Sequence, residues 1–498
     1  MKGVKMQSFE DYTSLANSMD FRTKCWIDGQ FVSAKSGETF ENINPATGKK
    51  LCDVARGNSN DIDAAVNAAR TAFEDGRWSG KTPSERKEVI LNLARLIREN
   101  ITEMALLDTL DMGKPISETV NVDAPGSAFF FQWHAEATDK IYDEIAPTGG
   151  RDIAMIRRVP LGVIGAVVPW NFPLDMATWK LAPALVTGNS VVLKPAEQSP
   201  LSALRLAELA KEAGLPDGVL NVVPGFGEDA GQALGRHMDV DCLVFTGSTV
   251  VGKLFQKYAG ESNMKQVWLE TGGKSPNLIF PDADLEKAAD MAAFGIFFNQ
   301  GEVCSANSRL LVHSSIKDEM VGKLRERAEK IKQGDPLDPA TTMGAMVDVN
   351  HAKKVEGFLN VGKVEAKLII GGDRFSINDS DAYIQPTIFS DVPEGAVIAR
   401  DEIFGPVLAI QTFDTESEAI EMANKSVYGL AASVWTSDLA RAMDLSEKLH
   451  VGTVSVNTVD ALSAMTPFGG MKQSGFGRDL SIHSFDKYTA LKTIWVKY

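Results

Sequence analysis

Short apolar, β-branched runs alternate with amphipathic stretches in the middle of the chain. The clearest amphipathic stretch, 202–213, ends at Gly214 and is followed by a Pro-Asp-Gly turn. Buried strands that alternate with such helices are typical of a parallel, doubly wound sheet, which binds ligands beyond the carboxyl ends of its strands. The pattern therefore predicts an α/β fold. The apolar runs begin near Gly162, Ser190, Gly218, Cys242 and Gln266.

Amphipathic helices are also predicted on either side of this region. Apolar positions in 61–73 recur at helical spacing, with Asn60 as the candidate N-cap. A second helix begins at Thr82-Pro83-Ser84-Glu85, where Thr82 and Glu85 can form a capping box. Helices over 285–298 and 317–331, with strands near 308, 407 and 451, predict a second α/β unit.

The last residues, 490–498, have the pattern of an apolar strand. Such a strand needs a sheet edge, which another subunit could supply, and the stretch 141–160 could form the ribbon beside it. We therefore expect an oligomer, either a homodimer or a homotetramer.

Composition narrows the class of protein. A chain of 498 residues is too long for one core, so two or three domains are expected. Residues 1–20 lack the apolar core of a signal peptide, the longest apolar run is too short to span a bilayer, and four cysteines are too few for a disulfide framework. These features favour a cytoplasmic protein. The net charge of −15 disfavours nucleic acid and anionic membranes as partners; either a cationic substrate or solubility accounts for it.

Three residues are candidates for covalent catalysis. Cys304 follows an apolar helix in the polar segment Asn-Gln-Gly-Glu-Val-Cys, and Gly301 would let the backbone approach closely. Glu270 ends a strand before two glycines, where partial burial would suit a general base. Asn171 could donate to an oxyanion or simply occupy a turn. Cys25, Cys52 and Cys242 lack such surroundings and are interpreted as structural.

The dinucleotide signals are mixed. The spacing Gly225-x-Gly227-xxx-Gly231 is a weak fingerprint, whereas Gly247-Ser248 between a strand and a helix is stronger, because backbone N–H groups there can meet a phosphate. Lys194 could hold ribose hydroxyls, and Glu197 would oppose a 2′-phosphate. NAD is therefore preferred over NADP, which stays possible. The six histidines have no metal-ligand spacing, so no metal site is expected.

The chain resembles the aldehyde dehydrogenase superfamily over nearly its whole length, through seven motifs. The motifs include the three candidates for covalent catalysis and the stronger of the dinucleotide signals. Within the superfamily, 201–227 and 337–344 look closest to the branch of γ-glutamyl-γ-aminobutyraldehyde and 4-guanidinobutyraldehyde dehydrogenases. The motifs are PWNFP (169–173), KPAE (194–197), FTGS (245–248), LETGGK (269–274), FNQGEVC (298–304), EIFGP (402–406) and PFGG (467–470).

The resemblance implies a fold and a set of roles. It implies a Rossmann-like cofactor domain over 1–139 and 161–272, a catalytic α/β domain over 273–472, and a small bridging β element over 140–160 and 486–498. It implies that Cys304 is the nucleophile, Glu270 the general base and Asn171 the oxyanion donor in oxidising an aldehyde through a thioester. The implied cofactor-binding residues are Trp170, Lys194, Glu197, Gly227, Gly247, Ser248, Gly252, Gly272, Glu402 and Phe404.

The expected substrate pocket has aromatic walls that suit an extended aldehyde. Asp175 and Asp460 are either partners for a distant amino or guanidinium group or solvated acids at the pocket mouth. The working hypothesis is a broad ω-amino or ω-guanidino aldehyde dehydrogenase, and the alternative is a general aliphatic or aromatic one. Glu302 stands where the family more often has glutamine, and we expect it to point away from the thiol. The pocket residues are Phe172, Asp175, Met176, Trp179, Phe298, Val303, Asp460, Leu462 and Phe468.

Rival functions make separate predictions. A thioesterase or acyl transferase would need only the thiol and carboxylate, but the dinucleotide motifs argue against it. A CoA-acylating enzyme is disfavoured by Glu270, because such an enzyme avoids activating water. A catalytically silent NAD-binding protein predicts erosion at Cys304, Glu270 or Asn171, and none is visible.

Overall fold

The computed structural model describes residues 6–498 and has an α/β fold, as predicted. Two large, mostly parallel sheets and a three-stranded antiparallel sheet are joined by helices. Three two-stranded ribbons complete the β structure: Thr39–Asn44 with Lys49–Ala55, Arg374–Ile377 with Ser380–Ile384, and Tyr428–Gly429 with Met471–Lys472. Residues 1–5 of the first predicted domain lie outside the described part.

The first sheet has eight strands, and the five predicted apolar runs form its parallel centre. Strand order reverses beside Val163–Val167, the first parallel strand in the chain. Such a reversal opens a crevice at the carboxyl ends of the strands. In spatial order the strands are Gln30–Val32, Cys25–Ile27, Leu220–Val222, Ser190–Lys194, Val163–Val167, Cys242–Gly247, Gln266–Thr271 and Gly475–Phe476.

The second sheet has seven strands and is parallel except for one edge pair. The strands predicted near 308, 407 and 451 belong to it. In spatial order the strands are Lys367–Ile370, Thr387–Ser390, Val407–Phe413, Arg309–His313, Pro276–Ile279, Ala431–Trp435 and Thr453–Val456.

The third sheet is built from the two segments assigned to the bridging element. Thr489–Lys497 pairs along its whole length with Asp152–Pro160, which also pairs with Glu144–Ala146. The terminal strand thus pairs on one side with a strand of its own chain, Asp152–Pro160. The division into three domains stays a proposal; the segment 473–485, which it leaves unassigned, contributes Gly475–Phe476 to the first sheet.

Helix signals in the sequence were largely correct. Thr82 caps Pro83–Glu99 through the predicted capping box with Glu85. The prediction that Asn60 caps the earlier helix was wrong: Asn58 is the N-cap, because its side chain accepts from Asn60 N–H while Asp61 closes the capping box. No helix within residues 6–498 is long and apolar enough to cross a membrane.

The α-helices cover Phe9–Asn17, Ser59–Glu74, Pro83–Glu99, Ile101–Met112, Ile116–Glu118, Ala124–Ala137, Pro173–Val186, Leu201–Glu212, Gln232–Arg236, Thr249–Gly260, Leu285–Phe297, Lys317–Glu329, Val349–Glu365, Val397–Arg400, Glu416–Asn424 and Leu439–Lys448. Shorter 3₁₀ or π turns cover Thr119–Asp123, Thr138–Lys140, Gly227–Gly231, Phe298–Gly301, Ser314–Ile316 and Ile482–Lys487.

Candidate active site

A cavity of ≈ 540 Å³ opens at the crevice of the first sheet. It lies where the chain leaves Val163–Val167 and Cys242–Gly247, on either side of the reversal in strand order. Eighteen residues singled out in the sequence line it together: Trp170, Asn171, Phe172, Asp175, Met176, Trp179, Gly247, Ser248, Glu270, Gly272, Phe298, Val303, Cys304, Glu402, Phe404, Asp460, Leu462 and Phe468.

A strained loop carries Cys304 into this cavity. Asn299 and Gln300 have left-handed backbone conformations, with φ of 47° and 54°, and Gly301 follows at φ 71°. A Cβ on Gly301 would lie 2.3 Å from the carbonyl oxygen of Gly405, so the expected close approach is present. Non-glycine residues hold such angles only where the surroundings enforce them, often at functional sites.

Asn171 lies against the same loop. Its side-chain amide donates to the carbonyl oxygen of Glu302 at 2.8 Å, and Asn299 donates to the carbonyl oxygen of Asn171 at 2.9 Å. The amide of Asn171 has a second N–H, and within residues 6–498 the backbone N–H of Cys304 donates to no oxygen. Two donors are therefore available in the part of the chain that lines the cavity with Cys304.

Glu270 ends Gln266–Thr271 and is buried with neither carboxyl oxygen hydrogen-bonded within residues 6–498. The pKa of its carboxyl is raised to about 8, mainly by burial and next by the charge of Asp479, while Lys180 and Lys487 oppose the rise. Lys180 and Lys487 both pair with Asp479. Sequence reasoning missed this buried triad, because its members are far apart in the chain and form no motif.

The Cys304 thiol has a strongly raised pKa. The main cause is burial, followed by the charges of Asp460, Glu402 and Glu270, while the backbone N–H of Ser305 lowers it. Asp460 is held in place by the hydroxyl of Ser305, 2.6 Å from its Oδ1. The free enzyme therefore keeps the sulfur as a neutral thiol near neutral pH.

Glu302 points away from the thiol, as expected. Its carboxylate accepts from the backbone N–H of Val347 at 3.0 Å and lies 3.8 Å from Nε2 of His351. His351 was not singled out in the sequence; it packs edge-on against the rings of Trp170 and Phe404. Glu302 thus lies behind these two rings, next to the histidine that packs against them.

Backbone contacts hold the Glu402 carboxylate next to the loop that carries Cys304. It accepts from Gly273 N–H at 2.9 Å, and a Cβ on Gly272 would lie 2.0 Å from its Oε2. A Cβ on Gly273 would lie 2.6 Å from the carbonyl oxygen of Cys304. Because Gly272 and Gly273 have no side chain, their segment can approach both the segment of Glu402 and the segment of Cys304.

Four of the predicted cofactor residues lie outside the lining of this cavity, namely Lys194, Glu197, Gly227 and Gly252. Lys194 is buried at the end of Ser190–Lys194, and its Nζ lies 3.3 Å from Glu197. It lies beside the turn Gly227–Gly231, since a Cβ on Gly231 would be 3.8 Å from its Cδ.

The residues fit a dinucleotide. Ser248 caps Thr249–Gly260, and the open N–H groups of that first turn suit a pyrophosphate. Val250 and Val251 are exposed apolar side chains on the same turn. Lys194 and Glu197 offer a donor and an acceptor at the end of Ser190–Lys194, two strands away in the same sheet.

The other end of the cavity has aromatic walls. Trp179 packs against Phe468 and Phe130 with ring centroids 5.5 and 5.8 Å apart, and Phe172 lies 6.2 Å from Phe298. Asp175 is buried in this wall, so it is not a solvated acid at the mouth. Val122, Gly126 and Phe294 also line this end and were missed in the sequence.

The remaining cysteines lie apart from the cavity. Cys25 and Cys242 are buried and Cys52 is half-buried, all three are free thiols, and burial raises the pKa of each to about 12. Across residues 6–498, no group of three or more His, Cys, Asp or Glu side chains has the arrangement of a metal site.

Comparison with known proteins identifies the family. The model of the aldehyde dehydrogenase family matches residues 31–494. The chain belongs to the aldehyde dehydrogenase family. The resemblance and the enzyme class inferred from the seven motifs are thereby confirmed.

Close relatives within the family have known names. The chain is 52% identical over 482 residues to the NADP/NAD-dependent aldehyde dehydrogenase PuuC of Escherichia coli (strain K12), covering 97% of each. It is 46% identical over 495 residues to an aminoacetaldehyde dehydrogenase of Pseudomonas aeruginosa, covering 99% of each. A solved γ-glutamyl-γ-aminobutyraldehyde dehydrogenase of Burkholderia cenocepacia is 49% identical with a TM-score of 0.97, over 99% of this chain and 100% of that one.

Proposed function

We propose that this aldehyde dehydrogenase oxidises an aldehyde to a carboxylic acid with NAD, through a thioester on Cys304. Three groups meet in one cavity beside the crevice of the first sheet: a thiol, an amide donor, and a carboxyl that has no hydrogen-bond partner within residues 6–498. This convergence is the observation that carries the proposal. Thiol and carboxylate suffice to form and hydrolyse an acyl-enzyme.

Cys304 attacks the aldehyde carbon as a thiolate. Because its pKa is raised in the free enzyme, the thiol must lose its proton to a neighbouring group. Glu270 can accept this proton, since its carboxylate oxygens form no hydrogen bond within the described part of the chain, 6–498. The adduct's oxyanion accepts from the Asn171 amide and the backbone N–H of Cys304. One such donor is worth roughly 3–4 kcal/mol of transition-state stabilisation.

Hydrolysis of the thioester completes the reaction. When bound, NAD supplies the hydride acceptor that the oxidation requires. Glu270 passes the proton of the thiol to solvent and then takes a proton from a water molecule, which attacks the thioester carbon. The C–S bond breaks, the acid leaves, and Glu270 returns this proton to the Cys304 sulfur. A carboxyl with a pKa of about 8 is a stronger base, once ionised, than an ordinary glutamate.

The cofactor preference rests on Glu197. Its carboxylate lies beside Lys194, where it can accept from a ribose hydroxyl and repel a 2′-phosphate. About a third of the Glu197 side chain is exposed, which leaves it room to turn aside and accommodate NADP. The related PuuC is named as NADP/NAD-dependent.

We assign ω-amino and ω-guanidino aldehydes as the preferred substrates, within a broad range. The aromatic walls accept an extended chain, and Asp175 lines the same cavity. One relative acts on aminoacetaldehyde by its name, and a solved relative is named for γ-glutamyl-γ-aminobutyraldehyde. The predominantly apolar walls favour a second candidate, a general aliphatic or aromatic aldehyde dehydrogenase.

The decisive experiment measures NADH formation with an aldehyde panel and follows the enzyme by intact-mass spectrometry. The unmodified enzyme, quenched during turnover, should carry an acyl adduct that is absent from Cys304→Ala. Glu270→Gln lacks the base for both the thiol and the water, so it should form the adduct slowly, and both variants should lose turnover. NAD reduction by Cys304→Ala at the rate of the unmodified enzyme would refute the mechanism. NAD binding without oxidation of any aldehyde would support the silent protein instead, and acyl-CoA formed on adding CoA would support the acylating one.

A further inference from the structure

Asp175 has an unusual setting for an acid in an apolar pocket. It lies in the first turn of Pro173–Val186, is 8% exposed and lines the cavity. Its Oδ1 accepts from the hydroxyl of Ser127 at 2.5 Å. Within residues 6–498 no Lys, Arg or His nitrogen lies within 4.0 Å of its carboxyl oxygens. The carboxyl is therefore held in position by Ser127 but forms no ion pair with these residues.

The surroundings of Asp175 carry more acids than bases. Burial raises its pKa well above the usual value, and the nearby Asp123 and Asp108 raise it further, whereas Ser127 and Lys114 lower it. Lys114 is fully buried and already pairs with Asp123 at 2.7 Å. A cation delivered through the cavity would fill this deficit of positive charge.

Gly126 leaves the Asp175 carboxyl uncovered on the cavity side. A Cβ at this position would lie 3.5 and 3.6 Å from the two carboxyl oxygens and 3.7 Å from the ring of Phe130. These are ordinary van der Waals distances, so alanine fits without a clash. Its methyl group would cover the carboxylate and keep a solvated or charged group from approaching it.

We propose that Asp175 binds the ω-ammonium or ω-guanidinium group of the substrate, and that Gly126 determines this specificity by leaving the carboxylate open. The inference rests on the proposed function and extends it, because it separates the two acids considered for this role. Asp460 is bonded to Ser305, next to the nucleophile, and its charge acts on the Cys304 thiol. Asp175 is bonded to Ser127 instead and lies in the aromatic wall, at the end that can receive the tail of the substrate.

The test compares kcat/KM for 4-aminobutanal with that for pentanal, which has a similar length and no charge, using NAD throughout. Asp175→Asn keeps the shape and should lower the ratio of the two values roughly 10- to 100-fold, as expected for loss of a charged hydrogen bond. Gly126→Ala should lower the ratio about fivefold or more. Gly322→Ala, in a helix with open space around the added Cβ, is the matched control and should keep the ratio.

Unreactive probes separate binding from chemistry. 4-Amino-1-butanol should inhibit pentanal oxidation more strongly than 1-butanol does, and both Asp175→Asn and Gly126→Ala should reduce this difference. The cationic preference should also grow with pH in the unmodified enzyme, as Asp175 loses its proton against Asp123 and Asp108, and stay flat in Asp175→Asn. If the role of Asp175 is purely structural, Asp175→Asn should lower kcat/KM for both substrates equally and leave the pH trend unchanged.

The outcomes distinguish the inference from the proposed function. Equal kcat/KM for both aldehydes in the unmodified enzyme, or an unchanged ratio in Asp175→Asn, would overturn the role of Asp175 while aldehyde oxidation stands. A ratio unchanged only in Gly126→Ala would overturn the role of the glycine. Failure to reduce NAD with either aldehyde would overturn the proposed function itself.

Discussion

Burial affects both groups that we propose to carry the chemistry, Cys304 and Glu270. The burial that shields the cavity from water raises the pKa of both, and each charge disfavours the other. We therefore expect the two groups not to be ionised at the same time, and the rate of the reaction to depend on pH.

We predict that kcat rises with pH through about 8, because Glu270 must be ionised to activate water and its pKa is raised to that value. Glu270→Gln should lower kcat by roughly 10²–10⁴ and remove this rise. Stopped-flow and steady-state NADH measurements across pH would show it, with the surface variant Glu447→Gln as control. A rise through pH 8 that survives in Glu270→Gln would assign it to another group.

A second residue-scale prediction concerns the cofactor. Glu197→Gln should raise the ratio of kcat/KM for NADP to that for NAD about tenfold, since it removes a charge that repels a 2′-phosphate. The expected gain is modest because the side chain is partly exposed. Glu228→Gln removes an equally negative charge from the same region and should change the ratio less. Equal effects would point to overall charge rather than to a ribose contact.

At the level of elements, features that depend on neighbouring residues could be predicted from the sequence. Contacts between segments far apart in the chain could not. The Thr82 capping box and the strand Cys242–Gly247 depend on neighbours in the chain, so pattern alone located them. The contact of Gly273 with the Cys304 loop joins segments that meet only after folding. Asn58 displaced the expected Asn60 as cap because two nearby asparagines satisfy the same local rule.

The same distinction explains what was missed in the candidate site. Cys304, Glu270 and Asn171 stand in recognisable motifs, whereas Lys180 and Asp479 pair across almost three hundred residues. The environment of Asp175 also depends on a separate helix, Ala124–Ala137, which brings Gly126 and Ser127 against it. No periodicity in either segment encodes that contact.

The strained loop before Cys304 yields an element-scale prediction. Gly301→Ala should destabilise the fold by roughly 1–3 kcal/mol or more and lower activity, because the residue has φ 71° and its Cβ would meet Gly405 at 2.3 Å. Thermal unfolding and kcat should both fall. Gly357→Ala, a helical glycine with no neighbouring atoms within 4 Å of the added Cβ, should keep both. Normal stability in Gly301→Ala would mean that the loop relaxes easily.

At the scale of the whole molecule, the notable feature is an open edge of the three-stranded sheet. Thr489–Lys497 forms one of its edges, and within residues 6–498 no strand pairs with the outer side of that edge. Leu491 and Trp495 are 64% and 60% exposed on this strand. A nine-residue edge with large apolar side chains promotes association unless it is covered.

We therefore predict that the enzyme is a homodimer or homotetramer that uses this edge. Light scattering after size exclusion should give a mass at least twice that of one chain, and the double variant Leu491→Lys/Trp495→Lys should shift it towards the monomer. Lys492→Gln changes a charge on the opposite face of the strand and should keep the assembly. Closed symmetric assembly buries such an edge on every copy, whereas open pairing would extend into filaments. A monomeric unmodified enzyme, or an unchanged mass in the double variant, would place any interface elsewhere.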